Sequence, residues 1–166
     1  MDMIPSIPHG THSHAEKRVF DRIRAAFSDM PDKKLTAYHS LNLTRHEYKR
    51  FGEIDFLICG LPGIFVLEVK GGRITCRNGI WQYTNRFNAV SESVEGPFKQ
   101  AESALHGLIK NLRLNLSPNI VSQFTIGYGV IFPDCEWSVK GAEWDEHILA
   151  DASKFNNLEQ WLEKLF

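Results

Sequence analysis

Asp55, Glu68 and Lys70 are the residues of this sequence whose types and spacing could do chemistry. They lie in two β-branched and aromatic runs, residues 54–59 and 64–70, separated by a GLPG segment that is typical of a hairpin turn. If the two glycines bracket the turn, Asp55 lies opposite Glu68, with Cβ atoms about 4.5–5.5 Å apart. Two carboxylates at that spacing can share one divalent cation. Period-two alternation also places Lys70 on the same face as Glu68.

A purely structural role for these charges is the alternative. Glu53, Asp55 and Glu68 would then form salt bridges with Lys70 at a wet strand end, where ion pairs are common and weak. Two like charges so close together repel, however, and they lose hydration where they are partly buried. Both faces of the hairpin are otherwise apolar, which indicates a central hairpin covered on each side. The combination therefore favours a cation site.

The elements around this hairpin indicate an α/β fold. Hairpins supply antiparallel strand pairs, so the pattern predicts a central mixed sheet that contains the 54–59/64–70 hairpin and is flanked by helices. Residues 1–13 have no apolar period and are interpreted as a flexible lead-in to a single domain spanning residues 14–166. The other predicted elements are helices at 14–28, 97–115 and 157–166, strands at 35–43 and 123–132, and a second hairpin at 73–77 and 80–84.

Composition bounds the class of protein. The chain has 166 residues, 43% of them hydrophobic, which suits one sizeable core. Its formal net charge of -1 gives no support to a protein that coats nucleic acid by bulk charge, so DNA binding would need a local patch. Three scattered cysteines and the lack of a long apolar run or signal peptide predict a soluble protein of the reducing cytosol.

The hairpin sequence GEIDFLICGLPGIFVLEVKGG resembles the signature of the NERD (nuclease-related domain) family, within the PD-(D/E)xK nuclease superfamily. Gly79-Ile80-Trp81 resembles the G-x-W that follows this signature. The resemblance extends from about Ser13 to the strand near Phe132. It implies a restriction-endonuclease-like core and a metal-dependent nuclease.

The resemblance also implies roles for individual residues. In that superfamily the Asp and the Glu of the ExK motif hold Mg²⁺ or Mn²⁺ together with a backbone carbonyl, and the Lys orients or activates the attacking water. By motif these roles fall on Asp55, Glu68 and Lys70, and the carbonyl belongs to Val69. Such hard oxygen ligands suit Mg²⁺ and the hydrolysis of a phosphodiester.

Supporting residues are less specific. Glu16 matches the position of an extra metal-side acid in the NERD pattern, but it also completes an S-x-x-E capping box, and both interpretations stay open. Gln100 resembles the glutamine that many superfamily members direct at the site, although a polar residue in a first helical turn is usually solvated. Arg45, Lys49 and Arg50 precede the site strand, where they could contact DNA phosphates or form a solvated loop.

The leading hypothesis is an endo- or exonuclease domain that cleaves DNA with Mg²⁺ or Mn²⁺. NERD domains are often joined to helicase-like or kinase-like modules, so a fused or associated helicase-like ATPase is an expected partner, although the sequence has no P-loop of its own. One alternative is a catalytically silent nuclease-like module that binds DNA or a protein. Another is an RNA-processing nuclease, because fold alone does not settle the substrate.

Overall fold

The computed structural model of the protein describes residues 2–8, 11, 13–42, 53–139, 141 and 144–166. Among these residues the strands are Asp2–Ile4 (β1), Thr36–Asn42 (β2), Glu53–Gly60 (β3), Gly63–Val69 (β4), Arg73–Arg77 (β5), Ile80–Thr84 (β6), Val90–Ser93 (β7), Ile126–Ile131 (β8) and Leu149–Ala150 (β9). The helices are His14–Ser28 (α1), Pro97–Asn115 (α2), Pro118–Val121 (α3), Ala152–Phe155 (α4) and Leu158–Leu165 (α5), with a 3₁₀ turn at Pro31–Lys33.

A mixed sheet forms the centre of the fold, with strand order β1-β2-β3-β4-β8-β9. Strands β2, β3 and β4 are antiparallel neighbours, whereas β4, β8 and β9 run parallel and β1 is parallel to β2. Strands β5, β6 and β7 form a separate antiparallel sheet. The predicted α/β architecture with a central mixed sheet is confirmed, and it is consistent with a nuclease-like fold.

The β3–β4 hairpin has the predicted register. Phe56 pairs with Leu67, and Gly60 pairs with Gly63 at the turn. Gly63 has a φ of 145°, and a Cβ there would lie 2.2 Å from the Thr125 carbonyl oxygen, so the turn requires glycine at this position. This register carries Asp55 and Glu68 toward each other at the far end of the hairpin.

Helices cover both faces of the central sheet. On one face, α1 and α5 pack on Phe56, Phe65 and Leu67 in the largest apolar cluster. On the other face, the apolar stripe of α2 packs on Leu57 and Val66. The hairpin is therefore buried on both sides, as its continuous apolar sequence predicts, and its polar end is the place where side chains of several elements can meet.

Some short elements differ from the sequence-based expectation. Asp2–Ile4, inside the segment interpreted as a flexible lead-in, add a parallel edge strand beside β2. Three residues are too few to show a periodic pattern, so the sequence did not indicate this strand. Strand β7, the two-residue β9 and the single-turn helices α3 and α4 were not expected for the same reason. In the described part of the chain, no helix is both long and apolar enough to cross a bilayer.

Candidate active site

Asp55 lies at a break in the pairing of β3. On the β2 side the paired residues step from His39–Phe56 to Leu41–Ile54, and on the β4 side the pairs end at Phe56–Leu67. Ser40, the residue skipped on β2, has a φ of 52°, which is unusual for a residue other than glycine. Because the backbone of Asp55 is released from both ladders at this point, its side chain can turn toward the neighbouring strand.

The Asp55 carboxylate is held by the backbone of β4. Its Oδ2 accepts a hydrogen bond of 2.7 Å from the Val69 N–H. The N–H and C=O of one strand residue point to the same side of the strand, so the Val69 carbonyl also faces the strand edge on which Asp55 lies. The carboxylate and carbonyl oxygens that the motif assigns to a metal are therefore on one side of β4.

Glu68 and Lys70 form an ion pair at the end of β4. Lys70 Nζ lies 2.7 Å from Glu68 Oε1, and the Glu68 residue is only 6% exposed. The Lys70 N–H donates to the Ile131 carbonyl on β8, which fixes the backbone from which the side chain extends. Among the described acids, Glu68 alone pairs with Lys70 within salt-bridge distance. The structural alternative, in which Glu53, Asp55 and Glu68 all form salt bridges with Lys70, is therefore not observed among the described residues.

Burial makes both acids costly to ionise. Burial and the negative charge of Glu68 together raise the pKa of Asp55 to about 8, although the Val69 hydrogen bond opposes the change. Burial also raises the pKa of Glu68, while Lys70 lowers it in part. Two carboxyls that are costly to ionise side by side are a destabilising arrangement, which a bound cation would relieve.

Glu16 faces this site rather than the start of its own helix. The Ser13 hydroxyl accepts the Glu16 N–H at 3.2 Å, which is one half of a capping box. The other half is missing, because the Ser13 N–H donates to the Thr11 hydroxyl and Glu16 Oε2 instead lies 3.5 Å from His39 Nε2. The charge of Glu16 raises the pKa values of both Asp55 and Glu68.

A family comparison bears on this arrangement. Residues 11–133 of the 166-residue chain match the family model described as Nuclease-related domain, NERD. The chain belongs to the NERD family. Family membership indicates a nuclease-related function for this NERD domain. No curated protein and no solved structure matches the chain.

Other predicted residues of the NERD domain have different outcomes. Gln100 is half-buried in the first turn of α2, and its N–H bonds to the Gly96 carbonyl. Within the described ranges no hydrogen bond joins its side chain to the two acids, so its role stays a prediction. Arg45, Lys49 and Arg50 lie outside the described residues.

His39 and Tyr83 lie near the site, and sequence reasoning gave neither of them a role in it. His39 is 4% exposed and packs between the rings of Phe20 and Phe56. Burial lowers its pKa, and Glu16 partly offsets this effect. The buried Tyr83 hydroxyl has no hydrogen-bond partner among the described residues, and the charge of Glu68 acts on it. The only sequence signal that could have indicated His39 was the presence of a histidine within the apolar alternation of β2.

The atoms that the motif assigns to a metal would fit a hard divalent cation. They are oxygens alone, from Asp55, Glu68 and the Val69 main chain, which is the chemistry that Mg²⁺ and Mn²⁺ prefer. In the part of the chain that the structure describes, no three His, Cys, Asp or Glu side chains form a metal site by themselves. Water would have to complete the coordination, as is usual for Mg²⁺ in proteins.

Proposed function

We propose that this NERD domain is a metal-dependent DNA nuclease that hydrolyses phosphodiester bonds with one or two Mg²⁺ or Mn²⁺ ions. The observation that carries the proposal is the pair of acids at the end of one hairpin, the half-buried Asp55 and the buried Glu68. Burial raises the pKa values of both, and Lys70 contacts Glu68 at 2.7 Å. Acids with raised pKa values that converge on one place are typical of functional sites.

Each residue has a separate task in this proposal. Asp55, Glu68 and the Val69 carbonyl would hold the cation, and the hydrogen bond from the Val69 N–H keeps Asp55 oriented. A bound Mg²⁺ or Mn²⁺ would act as a Lewis acid toward the scissile phosphate. Lys70 would place its ammonium beside the attacking oxygen and stabilise negative charge that develops there. The ion pair with Glu68 holds the Lys70 amine in position before substrate arrives.

Glu16 would complete the acidic side of the site. Its side chain extends from α1, and its Oε2 lies 3.5 Å from His39 Nε2 on β2, so it stands where two packed elements meet. Water-mediated contact with the cation is the role that its charge and location suit best. We keep Gln100, in the first turn of α2, as a further candidate for orienting water or phosphate.

A silent DNA- or protein-binding module is the second candidate function. The observation in its favour is that, among the described residues, no three metal-binding side chains form a complete site. In that case the acids would be structural and would bind no ion. An RNA-processing nuclease would use the same residues on a different substrate.

We also propose that a fused or associated helicase-like ATPase supplies substrate to this domain. The formal net charge of -1 gives the chain little general attraction for DNA. A motor that holds and separates the strands would raise the local substrate concentration. Added helicase-like partner should then increase cleavage by the wild-type chain but not by an Asp55→Asn variant.

The cleavage test uses single-stranded, duplex and flapped DNA, and one RNA oligonucleotide, each with and without Mn²⁺. Wild type should cleave at least one DNA substrate only with metal, Asp55→Asn should abolish the cleavage, and Lys70→Met should slow it about a hundredfold or more. Asp32→Asn is the matched control, because Asp32 is an exposed acid in the 3₁₀ turn, near the opposite end of the hairpin. Equal cleavage by wild type and Asp55→Asn would reveal a contaminating nuclease.

Calorimetry separates the enzyme from the silent module. Titration with Mn²⁺ should give a saturable heat for wild type and Asp32→Asn, and no such heat for Asp55→Asn. Retained binding in Asp55→Asn, or no binding in wild type, would favour the silent module.

A further inference from the structure

A groove of about 560 Å³ lies directly beside the proposed site. It runs between the start of α1, the two glycines after Lys70, and the turn that joins β6 to β7. Its size is in the range of ordinary ligand sites and is sufficient for one or two nucleotides. The residues that line it are Ser13, His14, Ala15, Gly71, Gly72, Arg73, Thr84, Asn85, Arg86, Phe87, Asn88 and Asp134.

Gly71 and Gly72 line the part of the groove that is next to Lys70 in the chain. A Cβ on Gly71 would lie 2.6 Å from the Cβ of Ala15, and one on Gly72 would lie 2.3 Å from the Thr84 carbonyl oxygen. Glycine is therefore required for the chain to pass between α1 and β6. Gly71 directly follows Lys70, and consecutive Cα atoms are about 3.8 Å apart, so the groove begins at the residue next to Lys70 in the chain.

An exposed aromatic ring stands at the edge of the groove. Phe87 is 74% exposed, so most of its apolar ring faces solvent. Its turn is nevertheless well ordered, because Asn85 Oδ1 accepts both the Phe87 N–H at 2.9 Å and the Ala89 N–H at 3.0 Å. The fold therefore presents this ring to solvent on a fixed support.

Positive charge surrounds the ring. The Arg86 guanidinium lies 4.8 Å from the centroid of the Phe87 ring, and Arg73 Nη2 donates to Asn88 Oδ1 at 3.0 Å. The acid in the groove, Asp134, is already paired with Arg18, and it accepts the Gly72 N–H at 2.8 Å. Arg73 and Arg86 therefore leave the groove with an excess of positive charge.

We propose that this groove binds single-stranded DNA, with a base stacked on Phe87 and the flanking phosphates bound by Arg73 and Arg86. Exposed aromatic rings beside a basic groove are how proteins hold single strands, since every base offers a flat face. Bases inside a duplex are already stacked and cannot use Phe87 in this way. The inference rests on the proposed function, because the groove would deliver the strand to Lys70 and the two acids.

The test measures binding without catalysis. Fluorescence anisotropy with a short labelled single strand, in EDTA, should show that Phe87→Ala weakens binding about tenfold and that Phe87→Trp retains it. Leu61→Ala is the matched control, because Leu61 is 71% exposed at the turn of the other hairpin. Arg86→Gln should weaken binding, whereas Arg113→Gln, an exposed arginine in the last turn of α2, should not.

The outcomes separate this inference from the proposed function. If wild type cleaves DNA with metal and Phe87→Ala binds single strands as tightly as wild type does, the groove does not bind DNA as proposed. The proposed nuclease function would stand in that case. If single-strand binding depends on Phe87 but no substrate is cleaved, the proposed DNA-binding groove is supported and the proposed nuclease function is contradicted. Duplex binding that Phe87→Ala weakens as much as single-strand binding would also contradict the groove. Circular dichroism of each variant checks that the fold is unchanged.

Discussion

Asp55 on β3 accepts the N–H of Val69 on β4 through its side chain, at 2.7 Å, where a regular sheet would have a backbone pair. This bond replaces a rung of the ladder with a carboxylate. It brings one acid of the proposed site to the backbone that carries the other acid and the amine, Glu68 and Lys70. The local break in pairing and the proposed chemistry are therefore two aspects of one feature.

The first prediction concerns the cost of Asp55 in the metal-free protein. The pKa of Asp55 is about 8 in the fold and about 3.9 in an unfolded chain. A raised acid pKa means that stability is full below the unfolded value and is lost as pH rises toward the folded value. In EDTA, Asp55→Asn should therefore melt several degrees above wild type at pH 8, with little difference near pH 4.

The same variant should respond differently to metal. Mn²⁺ should raise the melting temperature of wild type and leave Asp55→Asn unchanged, because a ligand stabilises only the state that binds it. The measurement is thermal unfolding with and without Mn²⁺, and Asp32→Asn should behave as wild type. A wild type that is more stable than Asp55→Asn in EDTA at pH 8 would contradict the predicted cost.

A second prediction separates Lys70 from the metal ligands. Lys70→Met should lower kcat by about a hundredfold or more, while the heat of Mn²⁺ binding is retained, because the amine carries no ligand oxygen. Cleavage rates and calorimetry on the same preparation provide the comparison. Loss of metal binding together with activity would show that Lys70 acts only by positioning Glu68.

A third prediction concerns the two functions that sequence allows for Glu16. Ser13→Ala removes the observed cap of α1 and should cost about 1 kcal/mol of unfolding free energy. Glu16→Gln should cost much less, since its side chain does not close the capping box, but it should slow cleavage. If Glu16 were mainly a helix cap, Glu16→Gln would instead cause a large loss of stability and leave the cleavage activity unchanged.

A fourth prediction uses a titrating helix cap outside the site. Burial by itself would raise the pKa of Asp151, but hydrogen bonds from Ser153, Lys154 and Trp137 outweigh it and lower the pKa. The carboxylate therefore stabilises the fold above about pH 4, and this stability is lost as pH falls through the folded pKa.

Thermal unfolding as a function of pH checks this cap. Asp151→Ala should lower the melting temperature at pH 7 by a few degrees, and the gap from wild type should narrow as pH falls below about 4. Asp32→Ala serves as the control, with a small effect at every pH. A gap that does not change with pH would mean that the charge of Asp151 contributes nothing.

Long periodic elements were predictable from sequence for physical reasons. The apolar repeat of α1 and the Pro97 start of α2 predict both helices with the observed bounds, His14–Ser28 and Pro97–Asn115. The glycines of the central turn predict the hairpin register, and hence the approach of Asp55 to Glu68. Each of these signals is local, because all the residues that produce it lie within one short stretch of the sequence.

The parts that were not predictable depend on tertiary contacts. Glu16 faces His39 instead of closing the capping box, and this contact depends on β2 lying beside α1. The positive φ of Ser40 has no local signal in the sequence either, because serine has no preference for that conformation. The candidate site therefore includes residues from both α1 and β2: the NERD pattern contains Glu16, but no motif connects His39 with the hairpin.

Anomalous diffraction from a crystal soaked in Mn²⁺ tests the central claim most directly. We expect one peak between the Asp55 and Glu68 carboxylates, about 2.0–2.3 Å from an oxygen of each and close to the Val69 carbonyl, and no such peak in Asp55→Asn. Crystals that hold Mn²⁺ elsewhere, or that leave these two carboxylates without a peak at saturating metal, would contradict the account.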